Sequence, residues 1–350
     1  MTAASAECRV DLPLPIQKHV KFWKLHMSML PTPYTKADDQ RMTLAYFCLS
    51  ALDLLGQVET TITEVEREQF KAWIYSQQLS QSQGGGFRGS PAAGASHATM
   101  TYTALLSLSI LRDDFSRLDR QGISVHLRAL QQSDGSFQSA LGYPEKDVRF
   151  SYSAFAVAYM LNDWTMFDVP KAIEYLIRCQ HYEGAFAQEP GLESHGGSTY
   201  CVIAALALAG QLDQIPHRPR LERWLLSRQA PGGGFQGRVE KDQDTCYSFW
   251  CGASLRILNL HAFVDGVSDA QWIFSAQSPM GGFAKVPGEH PDILHSYLSY
   301  VALAMHAEDD LREYNLPLTS VCAALNLSRS SLAWIYTQLW PSHPGAVLLP

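Results

Sequence analysis

A glycine-then-phenylalanine motif recurs five times in this chain, and its period limits the folds open to it. "QGGGFRG", "SDGSFQS", "YEGAFAQ", "PGGGFQG" and "PMGGFAK" centre on Phe87, Phe137, Phe186, Phe235 and Phe283, spaced 50, 49, 49 and 48 residues apart. Self-similarity at this period marks one supersecondary unit copied and stacked. After each turn and a polar loop comes a stretch that is apolar nearly all round, such as "MTYTALLSLSIL", "RFSYSAFAVAYML" or "GSTYCVIAALALAG". That pattern reads as a buried helix. A second, amphipathic helix closes the unit, as in "DVPKAIEYLIRCQ" and "RPRLERWLLSRQ". "RMTLAYFCLSALDLLG" supplies a sixth inner helix without its own Gly-Phe turn.

Six buried inner helices and their amphipathic partners suit an all-α fold, an α/α toroid of six hairpins closed in a ring. An open solenoid would need polar capping repeats at both ends, and none is evident. The expected organisation is a flexible N-terminus over 1–16, one toroid domain over 17–338 and a proline-rich tail over 339–350. Hydrophobic residues make up 46% of the 350 and charged residues 17%, enough apolar mass for a large core and too little charge for disorder. A net charge of -7 argues against a nucleic-acid partner held by phosphate contacts. No apolar run reaches the length of a membrane span, and the N-terminus lacks an apolar signal core, which points to the cytosol. The seven cysteines are irregularly spaced with no CxxC pair, so most read as small buried hydrophobes rather than disulfide partners.

Polar residues fall at a common phase. Counted from each repeat phenylalanine, His97 is at +10, Arg149 at +12, His195 at +9, Asp244 at +9, Cys246 at +11 and His295 at +12. In a ring of like hairpins equal phase means equal height, so these six should line one mouth. Asp244, Cys246 and His295 offer oxygen, sulfur and nitrogen donors from adjacent units. Three protein ligands leave a fourth position open, as in catalytic zinc sites, and the thiolate favours zinc over magnesium or calcium. A helix N-terminus should lower the Cys246 thiol pKa. The competing reading makes Asp244 a helix cap, Cys246 a core residue and His295 a hydrogen-bonded helix-start histidine. His290 is a rival ligand, less well placed in its loop beside Pro291, and Asp242 a bystander. A cationic set surrounds the same mouth: Arg238, Lys241 and Lys285, with His195 and the Tyr247 phenol, suited to a phosphate or diphosphate. Aromatics on the inner helices (Tyr102, Tyr152, Tyr200, Phe249, Trp250, Tyr297) are either core or the lining of a cavity for a long apolar ligand.

With these residues in view, "GLESHGGSTY", "GGGFQGR", "DTCYSFW" and the "GGFAK…HPDILH" region resemble the β subunits of protein prenyltransferases, nearest the type I geranylgeranyl branch, over about residues 17–335. The resemblance implies transfer of an isoprenoid from its diphosphate to a cysteine in a C-terminal CaaX motif, X mostly Leu. It implies zinc on Asp244, Cys246 and His295, and diphosphate contacts from His195, Arg238, Lys241, Tyr247 and Lys285. It further implies isoprenoid contacts from Thr43, Arg149, Tyr152 and Trp250, and peptide contacts from Phe47, His97, Arg149 and Leu294. Partners implied are a helical α subunit, geranylgeranyl diphosphate and CaaX proteins such as Rho-type small GTPases. Farnesyltransferases carry an Asp for magnesium where this chain has Lys285, whose ammonium can replace the metal's charge, so magnesium should be dispensable. They also carry a bulky Trp where Thr43 leaves room for a fourth isoprene unit. Leu298 departs from the aromatic the family usually has near the peptide. The farnesyl branch, a terpene-cyclase-like toroid suggested by "QQSDGSF", a two-carboxylate glycosidase using Asp244 and Asp292, and a non-catalytic scaffold are the alternatives. "DQDT" does not complete the cyclase acid, and the scaffold leaves the Asp-Cys-His and cationic sets unexplained.

Overall fold

The computed structural model describes residues 12–340; residues 1–11 of the N-terminal segment and 341–350 of the proline-rich tail named above lie outside them. In chain order the helices are α1 (Ile16–Ser28), α2 (Arg41–Leu54), α3 (Val58–Thr61), α4 (Glu64–Ser76), α5 (Ala98–Ile110), α6 (Arg120–Leu130) and α7 (Val148–Leu161). They continue as α8 (Val169–Arg178), α9 (Gly196–Leu208), α10 (Arg218–Leu226), α11 (Thr245–Ile257), α12 (Gly266–Ser275) and α13 (Ile293–Glu308). A two-stranded hairpin, β1 (Val321–Cys322) and β2 (Leu327–Ser328), leads into α14 (Arg329–Leu339).

The inner helices are α2, α5, α7, α9, α11 and α13. Each packs on the next in that order, and α13 packs back on α2, so the ring closes. They are buried on nearly every side, as their all-round apolar sequences require. The outer helices are amphipathic. On α8, Ala172, Ile173, Tyr175 and Leu176 face inward while Lys171, Glu174 and Arg178 are exposed.

The repeat motif is the joint between units. All five phenylalanines are fully buried. A glycine just before each one abuts the backbone of the following outer helix, and two cases show why it must be glycine. Gly135 has φ +91, and a Cβ there would come within 2.2 Å of the Lys171 carbonyl. Gly281, φ +101, stands in the same relation to Lys18 on α1, at 2.4 Å. The last turn thus docks on the first helix, which makes α1 the outer partner that completes the ring. The inner helices α5, α7, α9 and α11 are also stitched to the loop of the next unit. The N–H groups of Ala98, Val148, Gly196 and Thr245 donate to the carbonyls of Ser139, Gln188, Gly237 and Lys285, each two residues past a repeat phenylalanine.

These stitches set a common height for the helix starts. His97, Asp147, His195, Asp244 and Asp292 are the N-caps of α5, α7, α9, α11 and α13, and each side chain accepts a first-turn N–H. The shared phase of the sequence is therefore a ring of caps, with Arg149, Cys246 and His295 two or three residues inside their helices. The opposite end is closed by the β1–β2 hairpin and α14, a plug that the repeat did not announce. None of the described helices is long and apolar enough to cross a membrane.

Candidate active site

Asp244 and Cys246 open α11, and His295 opens α13 next to it. One donor atom from each of the three lies within 4.8 Å of the others, and no other such cluster of three occurs among the described residues. Asp244 is both the cap and the candidate ligand: its Oδ1 accepts the Cys246 N–H at 2.9 Å and stands 3.3 Å from His295 Nε2. Asp292, the cap of α13, was read from sequence only as a possible hydrolytic carboxylate. It accepts from His295 Nδ1 at 2.6 Å, which fixes the ring and turns Nε2 toward Asp244 and Cys246. The local signal was there, a capping Asp three residues before the histidine.

The charges of this corner fit a cation. Burial opposes protonation of His295, but Asp244 and Asp292 outweigh it and raise its pKa to about 9. Burial pushes the Asp244 carboxyl up, and hydrogen bonds from His295 and Cys246 more than reverse this, holding it below the usual range. The expectation for Cys246 is corrected. Its thiol is pushed well above its ordinary value, first by burial and then by the Asp244 carboxylate. A thiol in that position becomes a thiolate only with a cation beside it. Oxygen, sulfur and nitrogen donors, mostly buried, converge with a carboxylate behind the imidazole, so the donor set fits a tetrahedral metal. His290 is exposed outside the cluster, and Asp242 is exposed as well.

The cationic set is near. Lys285 holds the start of α11 through its carbonyl, and its ammonium, about half exposed, lies 3.9 Å from Asp244 Oδ2. His195 Nδ1 accepts the Gly197 N–H at 3.1 Å, so the ring proton belongs on Nε2, which meets the Tyr247 hydroxyl at 2.9 Å. With its lone pair used by the imidazole, the phenol keeps its own proton to give away. Burial, then the Arg238 charge, lowers the His195 pKa, keeping that tautomer neutral. Arg238 is paired to Glu193 at 2.8 Å. Lys241 is exposed and does not line the hollow below, though its charge reaches Glu193.

Two hollows that share lining residues lie within the mouth. One, about 490 Å³, is lined by His195, Arg238, Glu193, Gln188, Trp250 and Arg149, among others. The other, about 660 Å³, runs from Arg149 and Trp250 past His97, Phe150, Tyr152 and Tyr102 to Thr43, Phe47, Met100 and Leu294. Arg149, Cys201 and Trp250 belong to both. Arg149 is clamped by Asp147 at 2.6 Å and Glu145 at 2.7 Å. His97 Nδ1 accepts from Thr99 N–H at 3.1 Å, leaving Nε2–H to donate, and burial lowers its pKa. Of the aromatics, Tyr102, Tyr152, Tyr200 and Trp250 line the larger hollow, whereas Phe249 and Tyr297 are core. Leu298 is fully buried and lines neither hollow; Leu294, one turn earlier, takes the place by the mouth.

This geometry can be set against known proteins. The prenyltransferase alpha-alpha toroid domain family matches residues 14–327. The geranylgeranyl transferase type-1 subunit beta of Dictyostelium discoideum is 38% identical, over 89% of this chain and 95% of its own. That of Arabidopsis thaliana is 36% identical, over 86% and 88%. The solved structure of Candida albicans protein geranylgeranyltransferase-I complexed with GGPP superposes with a TM-score of 0.84 at 25% identity, covering 93% of this chain and 99% of its own. The chain thus belongs to the prenyltransferase α/α-toroid family, in the branch of the geranylgeranyltransferase type-1 β subunits.

Proposed function

We propose that this chain is the catalytic β subunit of a zinc-dependent protein geranylgeranyltransferase type I. It would act with an α subunit and move a 20-carbon isoprenoid from its diphosphate to the cysteine of a C-terminal CaaX motif. The observation that carries the reading is the buried Asp244–Cys246–His295 cluster beside a cationic corner, at the mouth of a long aromatic hollow. The named relatives and the solved neighbour with GGPP support it.

Asp244, Cys246 and His295 would hold zinc, which when bound supplies a fourth position that keeps an acceptor thiol as thiolate at neutral pH. The remaining work falls to the chain's own groups. The two adjoining hollows would take the hydrocarbon from Arg238 and His195 toward Thr43, with the diphosphate at the cationic end. A sulfur–C1 bond forms as the C1–oxygen bond breaks, and the diphosphate leaves with the electron pair. Arg238, Lys241 and Lys285 offset the charge that builds on it, and the Tyr247 hydroxyl, oriented by His195, donates to a departing oxygen. Because Lys285 supplies a fixed charge there, magnesium should not be required. His97 and Arg149, with Phe47 and Leu294, stand where they can receive the acceptor peptide.

The test is transfer by the chain co-expressed with an α subunit. The 20-carbon donor should be preferred over the 15-carbon one for peptides ending in Leu. Activity should persist without magnesium and track one zinc per heterodimer under chelation. A zinc-free protein with full activity, or a preference for the 15-carbon donor, would overturn the reading.

A further inference from the structure

One residue at the mouth runs against the chemistry proposed for it. The smaller hollow would take a diphosphate, yet a carboxylate, Glu193, stands in its wall beside Arg238 and His195. Glu193 lies two residues ahead of the α9 cap, in "GLESHGGSTY". Its Oε2 accepts from Arg238 Nη1 at 2.8 Å. Both side chains stay open to solvent, at 53% and 41% exposed, so a solute can reach the pair.

The backbone brings the two together. Gly196 N–H donates to the Gly237 carbonyl at 2.8 Å. That bond sets Arg238, one residue past Gly237, against the segment leading into Gly196, where Glu193 lies. A Cβ on Gly237 would come within 2.1 Å of the Tyr247 ring, so the loop lies this close only as glycine. Arg238 first, then Lys241 and His195, act on the Glu193 carboxyl and hold it below its usual range. The carboxylate therefore faces three of the groups that would receive the diphosphate. An exposed pair of this kind adds little to stability, so its charge matters more for what binds than for the fold.

We propose that Glu193 is a resident counter-ion of the diphosphate site, holding Arg238 while the hollow is empty and yielding it when a diphosphate binds. The inference rests on the proposed function. A diphosphate brings more negative charge than one carboxylate and more acceptor oxygens, so it wins the exchange for the guanidinium. The exchange still weakens binding, because Glu193 loses its partner and is left beside an anion of its own sign. The loss is the same for a prenyl diphosphate and for bare diphosphate. The donor has its hydrocarbon in the aromatic hollow to offset it, and bare diphosphate has nothing else. Glu193 thus favours release, keeping the diphosphate left after transfer from occupying the site. The same charge stands by before and during bond breaking, so that step should change little without it.

The experiment measures inhibition by inorganic diphosphate and affinity for the 20-carbon donor in the heterodimer. Glu193→Gln keeps an acceptor for Arg238 and removes the charge. Both constants should tighten together by about fivefold, the upper end for an exposed charge pair. The single-turnover rate at saturating donor should stay within about twofold of the wild type, with Tm unchanged. Glu240→Gln is the control, an exposed carboxylate two residues past Arg238 that does not line the hollow. Solvent and salt should screen it, leaving both constants within about twofold. Weaker binding of both ligands in Glu193→Gln would make Glu193 only a support for Arg238. Unchanged constants would make the pair inert, and an equal tightening in Glu240→Gln would make the effect one of overall charge. Each of these overturns the inference and leaves the proposed function standing. A wild type that transfers no 20-carbon group overturns the proposed function, and this inference with it.

Discussion

The two polar layers of this ring are built on the same repeat and differ in how they use their hydrogen bonds. At the floor, the hydroxyls of Tyr102, Tyr152, Tyr200 and Tyr297 all bond backbone carbonyls of one turn. At the mouth, the caps change identity from unit to unit, His97, Asp147, His195, Asp244 and Asp292, and keep capacity beyond capping. Asp244 accepts the Cys246 N–H and still faces His295 and Lys285. His195 accepts the Gly197 N–H and still orients Tyr247. A repeat gives equal heights; chemistry then collects where the side chains at one height differ and are not fully spent.

If that distinction is right, mouth substitutions should remove activity and spare stability. The largest effect is expected from His295→Ala. It deletes a proposed zinc ligand, so on the proposed function zinc content and turnover should fall together, turnover by about a thousandfold or more, corresponding to the several kcal/mol a catalytic metal supplies. Metal analysis beside single-turnover rates checks this, and a variant that keeps its zinc would break the assigned cluster. Asp292→Asn comes next. It keeps a cap but takes away the carboxylate behind the imidazole, and metal affinity should drop by about 10–100-fold. Competition with a coloured chelator reads it directly.

The fold was legible because the repeat signal is local: each Gly-Phe turn, buried helix and amphipathic helix is written within about 50 residues. The convergence of the candidate metal donors was legible for the same reason, as phase within the unit carries Asp244, Cys246 and His295 to one height. What escaped depends on pairing across the ring. Tyr46, Tyr102, Tyr152, Tyr200 and Tyr297 stood in the sequence at a nearly constant phase, yet their partners are the carbonyls of 323–326, up to 280 residues away. The hairpin itself has strands of two residues and no repeat glycine, too little for a pattern. Cys246 was misjudged because a helix terminus can be read from sequence, whereas the burial that raises the thiol cannot. Leu298 was misplaced for a similar reason, since one helical turn separates it from the mouth position of Leu294.

Tyr247→Phe is a smaller test of the mouth. It removes the hydroxyl proposed to donate to the leaving group and leaves the ring packed beside Gly237 and Gly196. The chemical step should slow by about 10²-fold or less, with Tm unchanged and donor affinity altered little. A loss of donor affinity with an unchanged chemical step would make Tyr247 a ground-state contact instead.

The smallest effect contrasts two histidines. His295 lies between two carboxylates and is raised to about 9. His126, on the outer helix α6, is fully buried, has its Nδ1 3.0 Å from the Ser96 hydroxyl, and its Nε2 is without a hydrogen-bond partner among the described residues. Burial lowers its pKa to about 4. An unfolded chain would take up the proton near the ordinary value of about 6.5. Between about pH 6.5 and 4 the unfolded state therefore binds a proton that the folded state refuses, and stability falls as pH falls through that window. Below it both states are protonated and the loss stops growing, at no more than about 3 kcal/mol for this group. His126→Asn keeps a partner for Ser96 and removes the titration. The fall in Tm from about pH 7 to 5 should be shallower than in the wild type but not abolished, since burial also holds His19 and His261 near 4. An unchanged slope would mean that His126 is already protonated in the fold, and the wall would then resemble the mouth more than the two histidines suggest.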